Sequence, residues 1–266
     1  MWLSKYVCLF MIYNFMGWIY ETLFCIVKGG KWENRGFLYG PICPIYGTGA
    51  VAISAIMELT IGKGISISPW QVFTISVIGS AVLEYFTSCA LEKTFHAVWW
   101  DYSEFPFNYQ GRISLFTSLG FGLGGLLTVY IIAPTTVGAV DYLSPIVLEA
   151  LALLVLFIFA VDLTLTVTAL LHFDRMVARM EDSFNHRMEV IVDNTFTQSN
   201  KIKESMLRQG RFVSGQVSTL SGFMKSTVRR VSSFKDISKP RETAKNILLF
   251  KIRKDDKHKS KAEEQG

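Results

Sequence analysis

The chain has 266 residues, half of them apolar and 14% aromatic, and a formal net charge of +5. The average hides two regions: residues 1–171 carry 7 Lys/Arg against 10 Asp/Glu, and residues 172–266 carry 20 against 12. An apolar half joined to a basic half excludes a protein soluble throughout and reads as a membrane domain with a tail drawn to anionic lipid or an acidic partner.

Five windows are apolar enough to cross ~30 Å of hydrocarbon: Leu3–Val27, Tyr39–Ile61, Trp70–Glu92, Ile113–Ala133 and Ser144–Leu171. The first is too long for the core of a signal peptide and lacks a clean cleavage site, so it reads as a retained helix. It carries Glu21 and breaks into GGKWENRGFLYGPICPIYGTG. The second opens on Gly40, Pro41 and Pro44, which predict an irregular or re-entrant start. Such backbone survives at membrane depth only when it is buried in protein or lines a wet cavity. The third carries Glu84 and runs into LEKTFHAVWWDYSEFPFNYQGRISL, whose aromatics suit an interfacial belt. Gly120 to Gly125 give the fourth a small-residue surface for helix packing, and the fifth carries Asp162.

Spans one and two with their loop resemble spans three and four with theirs, a pattern expected of a tandem two-helix repeat with its site where the repeats meet. Lys28, Lys31 and Arg35 lie in the first loop and Lys93 and Arg112 in the third, against Lys63 alone in the second. That bias places loops one and three and the C-terminus in the cytoplasm and the N-terminus outside. After Leu171 an apolar stripe at steps of three and four (Met176, Met180, Phe184, Met188, Ile191, then Ile202, Met206, Val213, Val217, Leu220, Met224) predicts a cytoplasmic amphipathic or coiled-coil-like helix. The domains expected are therefore a transmembrane domain over 1–171, this helix over 172–232, and a basic, unstructured tail over 233–266. The fold class is all-α and polytopic, with about five transmembrane helices.

An acid inside a span is costly and marks a functional site by default. Glu21, Glu84 and Asp162 each fall about three to five residues to the cytoplasmic side of their span's centre, or roughly 4–8 Å below the midplane at the helical rise. Arg35 and Arg112 at the loop ends are their natural cationic partners, and Asn34 and Asp101 in the same loops complete the candidate substrate-binding set. The arrangement suits a cation, a proton or an amine. Equally, each acid could be bonded to a neighbouring hydroxyl or indole and only tie helices together. Glu58, Glu92 and Glu149 lie near span ends and read as solvated. The four cysteines read as small apolar fillers.

The chain lacks GxxxxGK[ST], HExxH and GxSxG, so it should not bind ATP through a P-loop of its own. His96 is the only histidine close to the membrane loops. Neither a metal site nor any cofactor is expected, and no nucleic acid is expected as a partner.

GWIYET at Gly17–Thr22, NRGFLYGPICPIYG at Asn34–Gly47, LEYFTS at Leu83–Ser88 and WWDYS with GRISL between Trp99 and Leu115 resemble the CmpB-like family of ABC-transporter type IV membrane proteins. The resemblance covers about residues 1–130 and implies a multi-pass plasma-membrane permease. Such a permease would work with a separate ATPase subunit on its cytoplasmic face, and would form a homo-oligomer, because five spans make a small pore. It supplies no substrate and no catalytic residue. Two other readings stand beside it: an intramembrane enzyme acting on a lipid or lipid-linked substrate, with Glu21, Asp101 or Glu84 as acid or base, and a membrane scaffold or sensor working through its tail.

Overall fold

A computed structural model describes residues 2–29, 36–195, 220–235 and 242–253. Among these the chain is almost wholly helical. Helix α1 spans Trp2–Gly29, α2 Pro44–Gly62, α3 Pro69–Phe95, α4 Leu115–Leu127, α5 Ala133–Asp141, α6 Pro145–Thr195 and α7 Gly222–Arg229. A further helix, α8, covers residues 242–253. Four two-residue strands complete the order: β1 (Ala97–Val98), β2 (Asn108–Tyr109), β3 (Ile113–Ser114) and β4 (Ser233–Phe234). The protein is an all-α polytopic membrane protein.

Four helical stretches are long and apolar enough to cross a bilayer: Trp2–Val27, Pro69–Phe95, Leu115–Asp141 and Pro145–Ala178. The second expected window is shorter than the others. Residues 36–43 form no helix, and α2 begins only at Pro44, leaving 19 residues. Proline suits a first helical position because its missing N–H has no partner there to lose. The irregular start anticipated from Pro41 and Pro44 ends at Pro44, and Gly47 and Gly49 sit in regular helix.

The fourth span reaches further than its window, because α4 and α5 are joined without a break by a π turn over Thr128–Ile132. The Ala133 N–H bonds to the Thr128 carbonyl, and Pro134 follows. A proline inside a helix gives no hydrogen bond and crowds the carbonyl four residues back, and one widened turn relieves that crowding.

The described residues divide into two compact units, those within 1–91 and 99–166 and those within 92–98 and 167–253. In the first, Cys8, Leu9 and Tyr13 of α1 pack with Val140, Leu148 and Ala152, while Ile53, Val72 and Val129 join α2, α3 and the π turn. Lys5 ties three helix ends together, with Nζ 3.0 Å from Asp141 and 3.8 Å from Glu58, and Tyr6 donates to Glu58 at 2.6 Å. Glu58 is thus held by an ion pair and a phenol. The residues left exposed on this unit, such as Ile78, Val82, Phe86, Leu153 and Phe157, are those lipid would cover.

In the second unit β1 pairs antiparallel with β4, Ala97 opposite Phe234 and Val98 opposite Ser233. Ser232 N donates to Val98 O at 2.6 Å and Lys235 N to His96 O at 2.8 Å. Phe173 packs against Phe234 with ring centres 5.3 Å apart, and Val177, Val228, Val231, Leu248 and Ile252 are also buried in this unit. Helix α8 lies inside the stretch read from the sequence as unstructured. Its Leu248, Leu249 and Ile252 recur at helical spacing and bury themselves in spite of the lysine-rich composition around them. Asn246 accepts from Phe234 N at 2.8 Å and donates to Phe234 O at 3.1 Å, which fixes α8 to the strand. Arg253 donates to Val231 O at 2.7 Å, satisfying a carbonyl just past the end of α7. The stripe positions Ile202, Met206, Val213 and Val217 lie outside the described residues.

Lys245 is fully buried, ion-paired with Asp174, and sits 5.7 Å from the Phe234 ring centre. Asp174 is one-third exposed and can be hydrated once its partner is gone, so the lysine acts mainly by filling space. Lys245→Met is expected to cost about 1 kcal/mol and Lys245→Ala about 2–4 kcal/mol. The measurement is urea unfolding of the full chain in detergent; equal losses would mean that the charge pair, and not the packing, holds this unit together.

Candidate functional site

Glu21 and Glu84 are each met by a tyrosine, by different routes. On α1, Gly17 has no side chain, and a Cβ there would lie 2.4 Å from the Tyr46 Cβ. The bare surface seats Tyr46 against α1 one turn before Glu21, and its phenol donates to Glu21 Oε1. The Tyr46 ring also stands 6.0 Å from Tyr20 and 5.6 Å from Phe121 of α4. On α3, Glu84 is 4% exposed. Its Oε1 accepts from the Tyr102 hydroxyl at 3.0 Å. Its Oε2 is buried and has no hydrogen-bond partner among the described residues. Glu21 is near enough to act on Glu84 through its charge.

Tyr102 reaches Glu84 because the loop between α3 and α4 braces itself. Asp101 Oδ1 accepts from the Ser103 N–H at 2.9 Å and from the Ser103 hydroxyl. This carboxylate turning back on the backbone two residues on is a standard turn-forming arrangement. Asn108 donates to Phe105 O at 2.7 Å and accepts from Gly111 N at 3.1 Å, and Tyr102 N donates to Gly111 O at 2.8 Å. Gly111 has a φ of +67°, and a Cβ there would lie 2.6 Å from Asp101 Oδ1, so no other residue fits. Phe107 and Gln110, both at φ 55°, complete the tight reversal. Asp101 thus shapes the turn that carries Tyr102.

Arg112 leaves the same loop and donates to Ser88 at 2.9 Å, one turn beyond Glu84 on α3. Its own carbonyl accepts from the Trp100 indole at 3.0 Å. The aromatic run expected to be an interfacial belt is therefore mixed: Trp100 and Tyr102 turn polar atoms inward, while Phe107 and Tyr109 stay exposed.

Asp162 has a different occupation. Oδ1 accepts from Tyr39 N at 2.9 Å and Oδ2 from Gly40 N at 2.8 Å, with Thr166 bridging to both Tyr39 N and Oδ1. Its carboxylate holds the backbone ahead of α2. Asn34 and Arg35 lie outside the described residues.

Sequence reasoning missed Asn14, Tyr46 and Ser88. Asn14 is fully buried and accepts from Gly47 N at 3.1 Å. A lone asparagine in LFMIYNFMGW was the available signal. Tyr46 and Ser88 lie inside the motifs NRGFLYGPICPIYG and LEYFTS, but their roles come from the neighbours that folding supplies.

No curated protein and no solved structure matches the chain. One family model does, over residues 8–167, which takes in both acids, both loops and Asp162 and extends past the limit near residue 130 expected from the motifs. The match covers more than half of the chain, and the chain belongs to the CmpB family of membrane proteins, described as "Putative ABC-transporter type IV".

Proposed function

We propose that the protein is a permease-like subunit of the plasma membrane, with its N-terminus outside and loops one and three and the C-terminus in the cytoplasm. Its working group is Glu84, with Glu21, Tyr46, Tyr102 and Arg112 around it. One observation carries the reading: a carboxylate almost completely buried in a membrane helix keeps one oxygen without a hydrogen-bond partner among the described residues. A purely structural acid is normally satisfied on both oxygens, as Asp162 is. An intramembrane acid held open in this way suits a passing charge. The family description supports a transporter setting. The chain contains no P-loop motif, so energy from ATP would come from a separate subunit docked on the face that bears loops one and three.

Purification from native membranes in mild detergent, with a tag at the N-terminus, tests the assignment. A stoichiometric nucleotide-binding partner is expected, and Glu84→Gln should retain that partner while losing the cellular phenotype of the wild type. A protein that purifies without any ATPase, or a Glu84→Gln variant with full cellular function, would overturn it.

A further inference from the structure

Helix α3 carries Ser76, Ser80, Glu84 and Ser88 at intervals of four, which stacks them along one face. Glu84 and Ser88 are buried and Ser76 and Ser80 half-buried, whereas Ile75 just before the line and Ile78, Val82 and Phe86 within it are exposed. The polar line therefore runs on the protein side of the helix, over about 18 Å at the helical rise. At one end Ser76 rests on Gly125 of α4, where a Cβ would come within 2.0 Å of its hydroxyl. The Ser76 Oγ is buried and, like Glu84 Oε2, has no hydrogen-bond partner among the described residues. Ser80 donates to Val77 O at 3.0 Å, which leaves its lone pairs unused by that bond. At the other end Ser88 receives Arg112.

Every ligand atom this line offers is oxygen: serine hydroxyls, the Tyr102 phenol and one open carboxylate oxygen. Oxygen ligands select hard cations, and a divalent ion such as calcium draws on six or more of them, usually several carboxylates. Among the described residues no three of His, Cys, Asp and Glu are gathered that could hold such an ion. The line itself holds one carboxylate among neutral hydroxyls, and the second acid acting on it, Glu21, is already engaged by the Tyr46 phenol, so the line balances a single positive charge. The ionisable groups facing Glu84 are Tyr102 from the loop and Glu21 from α1, with Arg112 one turn further on at Ser88.

We infer that the α3 stripe is a monovalent-cation site, in which Glu84 Oε2 holds a sodium ion or a hydronium ion and the hydroxyls of Ser80 and Ser76 form the polar path leading to it. The inference rests on reading Glu84 as the working group of the permease, and it adds the class of ion that the group carries. The test needs no partner and no transport assay, so its failure would leave the search for an ATPase to decide the wider reading.

The experiment is thermal unfolding of the purified full-length protein in detergent, in choline chloride and in sodium chloride at matched ionic strength, each over a range of pH. Replacing choline by sodium is expected to raise Tm by about 3 °C in the wild type. That shift should disappear in Glu84→Gln and shrink in Ser80→Ala, while Glu149→Gln, an exposed acid on α6, keeps it. If the occupant is hydronium, sodium has no effect, and Tm instead rises as pH falls in the wild type but not in Glu84→Gln. A wild-type Tm indifferent to both cation and pH overturns the inference, whether or not any variant folds. So does a Glu84→Gln variant that responds as the wild type does.

Discussion

Replacing Gly47 by alanine should lower the Tm of the detergent-solubilised protein by roughly 5–10 °C, while Gly124→Ala leaves it unchanged or slightly raised. A Cβ on Gly47 would fall 2.3 Å from Asn14 Oδ1 and 2.8 Å from the Phe10 carbonyl oxygen. The asparagine could swing away only by giving up its bond to Gly47 N, and the Phe10 carbonyl is α1 backbone, which moves only with the helix. Helices α1 and α2 would have to separate. Within a membrane this is serious, because helix association rests on close backbone approach, with no hydrophobic gain to compensate. Gly124 has nothing within 4 Å of its missing Cβ, which makes it the control for the helix propensity of alanine itself. Gly17→Ala belongs with Gly47→Ala: it would displace Tyr46 and with it the phenol on Glu21. A Gly47→Ala protein as stable as the wild type would mean that α1 and α2 do not touch where the structure has them touching.

The second large effect lies at Asp162. Asp162→Ala should destabilise the protein by about 2–4 kcal/mol, and Asp162→Asn by about 1 kcal/mol. Removing the carboxylate leaves Gly40 N without its acceptor, whereas Tyr39 N retains the Thr166 hydroxyl at 3.2 Å. An asparagine can turn its carbonyl oxygen to Gly40 N and leave Thr166 to serve Tyr39, so most of the clamp survives. Proteolysis of loop one and Tm in detergent both read this difference. The pair of variants also separates structural work from charge: equal loss of cellular function in both, with Asp162→Asn still well folded, would show that the negative charge of Asp162 is what matters.

Hydropathy and the placement of acids were legible in the sequence because both follow from composition along one dimension. Four of the five expected spans and the polar breaks after Glu21 and Glu84 follow from that pattern. What each acid touches did not. Glu21 is met by Tyr46 from the start of the next helix and Glu84 by Tyr102 from a loop shaped by Asp101, Asn108 and Gly111, and no periodicity encodes those meetings. Asp162 shares its expected depth and its acidic character with the two glutamates, yet it faces loop backbone. Depth alone cannot distinguish the two roles. The π turn ahead of Pro134 and the late start of α2 at Pro44 show how proline moves helix limits away from where hydropathy sets them. Helix α8 was hidden by its composition: in a lysine-rich stretch, Leu248, Leu249 and Ile252 are too few to raise the average but enough to fill a core.

The pairing of β1 with β4 has a consequence for how the molecule is made. Residues 97–98 leave the ribosome long before residues 233–234, and until the later strand arrives, Val98 O and His96 O have no partner of the kind they end with. Phe173, buried in the finished unit, likewise waits for the ring of Phe234. A chain stalled or clipped after its last span therefore presents an open strand edge and raw apolar surface, both of which promote aggregation and degradation. The last-made strand is therefore what closes this edge, and the second unit cannot be complete until residues 233–234 have been synthesised.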